Sequence, residues 1–124
     1  MDLETKVMVV DDFATMRRIV KGALKQLGFK NIIEADDGST ALEELKKEKV
    51  GLILCDWNMP KMTGLDLLKS VRGDDGLKAI PFIMVTAEAQ KENVVDAVKA
   101  GVSNYVMKPF TPDTLKEKIE KVLG

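Results

Sequence analysis

Histidine is absent from this 124-residue chain. That removes imidazole metal ligands, histidine-based nucleophilic catalysis and any phosphohistidine on the chain itself. The single cysteine, Cys55, cannot close an internal disulfide and falls inside an apolar run, which fits a small buried hydrophobe in a reducing compartment. Neither sign of charge predominates: 19 Lys plus Arg meet 20 Asp plus Glu, a net charge of -1, so no overall basic field exists to hold nucleic acid or an anionic membrane. No stretch approaches the roughly 18 apolar residues of a membrane span, and the acidic opening Met1-Asp-Leu-Glu-Thr5 lacks an apolar signal core. A soluble cytoplasmic protein is expected. Neither G-x-x-x-x-G-K nor G-x-G-x-x-G occurs, so nucleotide-binding loops find no support. Chemistry here falls to carboxylate, amine and hydroxyl.

With 45% hydrophobic and 31% charged residues, residues 1–124 have the composition and length of one globular domain with one core. Val7 to Val10 and Leu52 to Cys55 are unbroken apolar runs, the pattern of strands buried on both faces. Ile32 to Ala35 reads as a shorter, more polar edge strand, Pro81 to Val85 as a fourth strand leading into Thr86, and Asn104 to Met107 as a fifth. Between them lie helical periodicities. Met16, Ile19, Val20, Ala23, Leu24 and Leu27 form one stripe closed by Gly28. Asp37, Ser39 and Thr40 offer caps for a second helix, with Thr40 and Glu43 at capping-box spacing, and Thr63 to Asp66 resembles a third helix start. Val94, Val95, Ala97 and Val98 mark a fourth helix beginning near Lys91, and Thr111 with Pro112 opens a fifth. Strands alternating with helices predict an α/β fold: a single doubly wound, five-stranded parallel sheet with helices on both faces.

Of three acidic pairs, Asp36-Asp37 and Asp74-Asp75 each precede a glycine and read as turns or caps, whereas Asp11-Asp12 follows directly on a buried strand. Asp56 likewise stands where its strand runs out. In the flavodoxin-like order 2-1-3-4-5, strands 1 and 3 adjoin at the switch point, bringing Asp11, Asp12 and Asp56 to one edge. Crowded carboxylates repel unless a cation holds them. Hard oxygen donors without His or Cys point to Mg²⁺, with Mn²⁺ or Ca²⁺ able to substitute. Thr86 and Lys108, ending strands 4 and 5, can supply a hydroxyl and a point charge at the same edge, which suits an incoming phosphoryl group.

Asp11-Asp12, Asp56, Thr86 and Lys108-Pro109, in this order and spacing, resemble the receiver domains of two-component signalling over essentially the whole chain. More narrowly, Val10-Asp-Asp-Phe-Ala-Thr-Met-Arg-Arg-Ile-Val20, Asp56-Trp-Asn-Met-Pro60, Val85-Thr-Ala-Glu88, Tyr105 and Lys108-Pro-Phe-Thr111 are similar to the chemotaxis response regulators. The 2-1-3-4-5 order is a property of that family, adopted from it and not obtained from the periodicity.

The resemblance implies that Asp56 is the phosphoacceptor, taking a phosphoryl group from a phosphohistidine on a chemotaxis-type sensor histidine kinase or from a small phosphodonor. Asp12 and Asp56 would bind Mg²⁺ directly, Asp11 through water, and Asn58 through its backbone carbonyl. Lys108 and Thr86 would contact phosphoryl oxygens, the Asn58 and Glu88 side chains would tune dephosphorylation, and Lys108-Pro109 would be cis. The family's switch places Thr86 and Tyr105 between the site and a partner face of helix 4, strand 5 and helix 5, here Val94, Tyr105, Met107, Lys118 and Lys121. The implied partners are the kinase, the flagellar motor switch protein and a phosphatase, bound by a monomer that is no turnover enzyme.

Three other readings use the same residues. A flavodoxin-like electron carrier would need a Ser/Thr/Gly-rich loop where Asp11-Asp12 would repel the FMN phosphate. An aspartate-nucleophile phosphatase wants an acid two residues after the nucleophile, where Asn58 stands. A phosphorelay intermediate, within the same family, would pass its phosphoryl group to a histidine protein.

Overall fold

The computed structural model describes residues 2–87 and 91–123, Lys91 by its backbone alone. Glu88 therefore lies outside the described residues. In chain order the elements are β1 (Val7–Val10), α1 (Ala14–Gln26), β2 (Ile32–Ala35), α2 (Gly38–Lys47), β3 (Leu52–Cys55), α3 (Gly64–Arg72), β4 (Phe82–Thr86), α4 (Lys91–Lys99), β5 (Asn104–Met107) and α5 (Pro112–Leu123). All strand pairs are parallel, in the order β2-β1-β3-β4-β5.

Because side chains alternate along a strand, the apolar runs feed two cores at once. Met8, Val10, Ile53, Cys55, Phe82 and Met84 pack with Ala41, Leu45, Leu67, Leu68, Val71 and Ala97 from α2, α3 and α4. Val7, Val9, Leu52, Leu54, Ile83 and Val85 turn the other way, against Val20, Ala23 and Leu24 of α1 and Leu115 and Ile119 of α5. β1, β3 and β4 are thus buried throughout. Cys55 is buried among them, and burial together with the adjoining Asp56 carboxylate holds its thiol well above the usual range, so it behaves as a hydrophobe.

Local signals account for several helix ends. Thr63 and Asp66 form the reciprocal capping box of α3, Thr111 Oγ1 accepts the Thr114 N–H at 3.1 Å, and Gly28 takes φ 104° after α1. Three expectations change. Of the three caps offered for α2 it is Asp37 that is used, accepting the Thr40 N–H at 2.8 Å from extended backbone just before the helix, and so Thr40 does not open a capping box with Glu43. Ile19 is 52% exposed; it sits about 100° around the helix from Val20 and so falls off the buried stripe. On α4 only Ala97 of the four apolar residues is buried, while Val95 and Val98 are exposed and Val94 is half-buried. Among the described residues no helix is long and apolar enough to cross a membrane.

Candidate functional site: a carboxylate and lysine cluster at the sheet edge

Ladder bonding carries the backbone right up to the acids. The Asp11 N–H donates to the Ala35 carbonyl at 3.1 Å, and the Asp56 N–H to the Val10 carbonyl at 2.9 Å, so both residues leave adjoining strands at one level. One carboxylate oxygen from each of Asp11, Asp12 and Asp56 lies within 4.8 Å of the other two. Asp11 is buried, Asp56 half-buried and Asp12 exposed. Asp11 Oδ1 also accepts the Phe13 N–H at 2.9 Å, closing the turn into α1, whose first residues receive no side-chain cap from the acid pair.

Lys108 arrives from β5, beside β4. Its N–H donates to the Thr86 carbonyl at 2.9 Å, and the peptide that follows, Lys108-Pro109, is cis. Its ammonium lies 3.2 Å from Asp56 Oδ1 and 3.3 Å from Asp11 Oδ2. Thr86 is wholly buried where β4 ends at this edge. The loop after β3 is pinned by burial of Trp57 and Met59, which leaves Asn58 exposed between them. Gly64 closes that loop: its N–H donates to the Trp57 carbonyl at 2.8 Å, and a Cβ there would stand 2.3 Å from the Asp56 carbonyl oxygen. Only glycine permits that approach.

Asp56 has its carboxyl held above the ordinary value of 3.8. Burial is the main cause and the Asp11 carboxylate adds to it, while the Lys108 ammonium and the Trp57 N–H oppose it. One ammonium set against three carboxylates leaves an excess of two negative charges, which one divalent cation cancels. Carboxylate oxygens this close to one another could share one divalent ion. The donor set fits: oxygen only, acidic, and partly open to water.

An open cleft of about 330 Å³ adjoins the cluster, lined by Asp11, Phe13, Thr15, Met16, Asp56 and Lys108. The structure thus brings together Asp11, Asp12, Asp56 and Lys108, with Thr86 at the same edge. Tyr105 is half-buried against the core beneath α4, Met107 is exposed, Lys118 half-buried, and Lys121 exposed in an ion pair with Glu117. Sequence reasoning missed Phe13, 70% exposed beside the acid pair, and Arg17, which donates to the Asp11 carbonyl. For Phe13 a signal existed: a large aromatic off the buried stripe, next to the acids.

Comparison with known proteins agrees with this geometry. Residues 7–120 match the response regulator receiver domain family. Over 117 residues the chain is 56% identical to chemotaxis protein CheY-3 of Vibrio cholerae, covering 94% of this chain and 90% of that protein. It is equally similar to chemotaxis protein CheY of Pseudomonas aeruginosa, covering 94% of both. Among solved structures, CheY4 of V. cholerae superposes with a TM-score of 0.89 at 34% identity, covering 96% of this chain and 98% of that one. A receiver protein of Pseudomonas putida gives 0.87 at 30% identity over 98% and 99%. The chain therefore belongs to the response regulator receiver domain family and is similar over nearly its whole length to proteins named CheY.

Proposed function

We propose that this protein accepts a phosphoryl group on Asp56 in a Mg²⁺-dependent reaction and signals by a change in partner affinity. The observation that carries the reading is the Lys108 ammonium bridging Asp56 and Asp11 beside an open cleft. Asp12, Asp56 and the Asn58 carbonyl would hold the metal, with Asp11 acting through water. The bound ion supplies charge neutralisation for the phosphoryl oxygens. A carboxylate oxygen of Asp56 attacks phosphorus in line; the new O–P bond replaces the N–P bond of a ring-protonated phosphohistidine, which leaves as neutral imidazole. The protein's share is positioning and electrostatics. Lys108 offers its ammonium to the transferred oxygens, Thr86 its hydroxyl, and Asn58 and Glu88 set how readily water reaches the acyl phosphate.

Output is assigned to α4, β5 and α5, through Val94, Tyr105, Met107, Lys118 and Lys121. Thr86 shifts toward the phosphoryl group and Tyr105 follows inward, a population shift whose full extent requires about 5.5 kcal/mol of differential binding. The relatives named chemotaxis proteins support a chemotaxis kinase as donor and the flagellar motor switch as target. Trp57 provides the test. Mg²⁺ and then acetyl phosphate should each change its fluorescence, and Asp56→Asn should abolish the second change; an unaltered second change rejects Asp56 as acceptor.

A further inference from the structure

We infer that Arg17 is a positioning residue for the metal-binding carboxylates, acting on the main chain between Asp11 and Asp12. The inference rests on the Mg²⁺ reading above. Asp11 is gripped at three acceptors: Oδ1 by the Phe13 N–H, Oδ2 by Lys108, and its carbonyl oxygen by Arg17 Nη1. That carbonyl is the first beyond β1. It belongs to the same rigid plane as the Asp12 N–H, so anchoring it sets the direction in which Asp12 leaves the strand. Asp12 is itself exposed and has no burial to orient it.

The guanidinium is held in turn. Arg17 Nε donates to Glu34 Oε1 at 3.2 Å, and the other oxygen of Glu34 accepts from Lys21 at 3.1 Å. Glu34 sits on β2, whose next residue, Ala35, receives the Asp11 N–H. One fork thus ties the turn after β1 to the neighbouring strand. The arginine side chain is only 17% exposed, which separates it from a freely solvated cation. A lysine could keep the charge but not the two-directional fork.

Charge and position pull in opposite directions here, which makes the role separable. As a bare cation near the site, Arg17 opposes Mg²⁺, and removing it would tighten binding. As a positioning residue it favours Mg²⁺, and removing it weakens binding, by about tenfold as for other groups that orient metal ligands. Mg²⁺ titrations read by Trp57 fluorescence, at constant ionic strength, should give about tenfold weaker binding for both Arg17→Gln and Arg17→Lys. Metal-free urea midpoints of both should stay close to the parent's. Glu34→Gln, whose amide oxygen can still accept from Arg17 but without the carboxylate's charge, should weaken Mg²⁺ binding less. Binding by Arg17→Gln equal to or tighter than the parent's overturns the inference. So does weakening confined to variants already partly unfolded without metal. A parent protein with no Mg²⁺ response would sink the metal reading itself, a result distinct from variants that match a responding parent.

Discussion

The ammonium of Lys108 stands 3.2 Å from Asp56 Oδ1, yet the Asp56 carboxyl is held above its ordinary value. Burial, with the Asp11 carboxylate adding to it, outweighs the ion pair. In the metal-free protein at neutral pH, ionised Asp56 therefore costs stability. An acid whose folded value is raised contributes stability below its unfolded value and loses it as pH rises through the folded one.

Asp56→Asn should accordingly stabilise the metal-free protein at pH 7, by about 1 kcal/mol, the scale on which functional sites trade stability for activity. Urea unfolding measures it. Saturating Mg²⁺ should narrow or reverse the difference, because only the parent keeps all three carboxylates for the ion. A variant less stable than the parent without metal would show that the lysine pair, not burial, dominates.

Gly64→Ala should damage fold and site together. The added methyl would meet the Asp56 carbonyl oxygen at 2.3 Å, Met84 Sδ at 2.9 Å and Trp57 Cα at 3.0 Å, two of them backbone atoms. Overpacking of this kind costs about 1–3 kcal/mol. Thermal unfolding should show that loss, and Mg²⁺ titration a weaker affinity, since the strained peptide carries Asp56. By contrast, Gly22→Ala, with no atom within 4 Å of its Cβ, should lose no stability.

Glu34 gives a pH signature of opposite sign. Its carboxyl is held below the ordinary 4.5, first by the Lys21 hydrogen bond and also by Arg17. An acid with a lowered folded value adds stability above 4.5 and loses it as pH falls through that lower value. Its side chain is 36% exposed, so solvent screening keeps the effect to about 0.5 kcal/mol. Glu34→Gln should thus be slightly less stable than the parent at pH 7, with the difference shrinking as pH falls below 4.5. A difference that does not shrink with falling pH would point to lost packing in place of lost charge.

How far the chain could be read without coordinates depended on whether a residue's role is local. The unbroken runs Val7 to Val10 and Leu52 to Cys55 announce buried parallel strands, and the acids that end them are adjacent in space once the strands pair. The pairing order came from family likeness, because periodicity says which residues face a core but not which strands adjoin. Ile19 shows the limit of a stripe: spacing alone admits it, but it lies about 100° around the helix from buried Val20 and stays 52% exposed. Asp37, Ser39 and Thr40 are all eligible caps in sequence, and only the helix start at Gly38 selects Asp37 among them. Arg17 was invisible, since a long side chain reaching back to a carbonyl and across to β2 leaves no pattern in sequence.

The partner face yields a prediction that separates output from chemistry. Beryllofluoride, a phosphoryl mimic, should raise affinity for a flagellar motor switch N-terminal peptide, and charge introduced at half-buried Val94 should remove that gain. Phosphorylation of Asp56 by acetyl phosphate should continue in the Val94 variant. Peptide binding followed by anisotropy, with and without beryllofluoride, measures it. Equal affinity in both conditions for the parent would refute the assigned output.

Site-mapped mass spectrometry after incubation with acetyl phosphate addresses the chemistry most directly. One phosphoryl group should be found, on Asp56, in the presence of Mg²⁺; chelation of the metal or Asp56→Asn should leave the chain unmodified. Modification that persists without a divalent ion, or that maps to any other residue, would contradict the account.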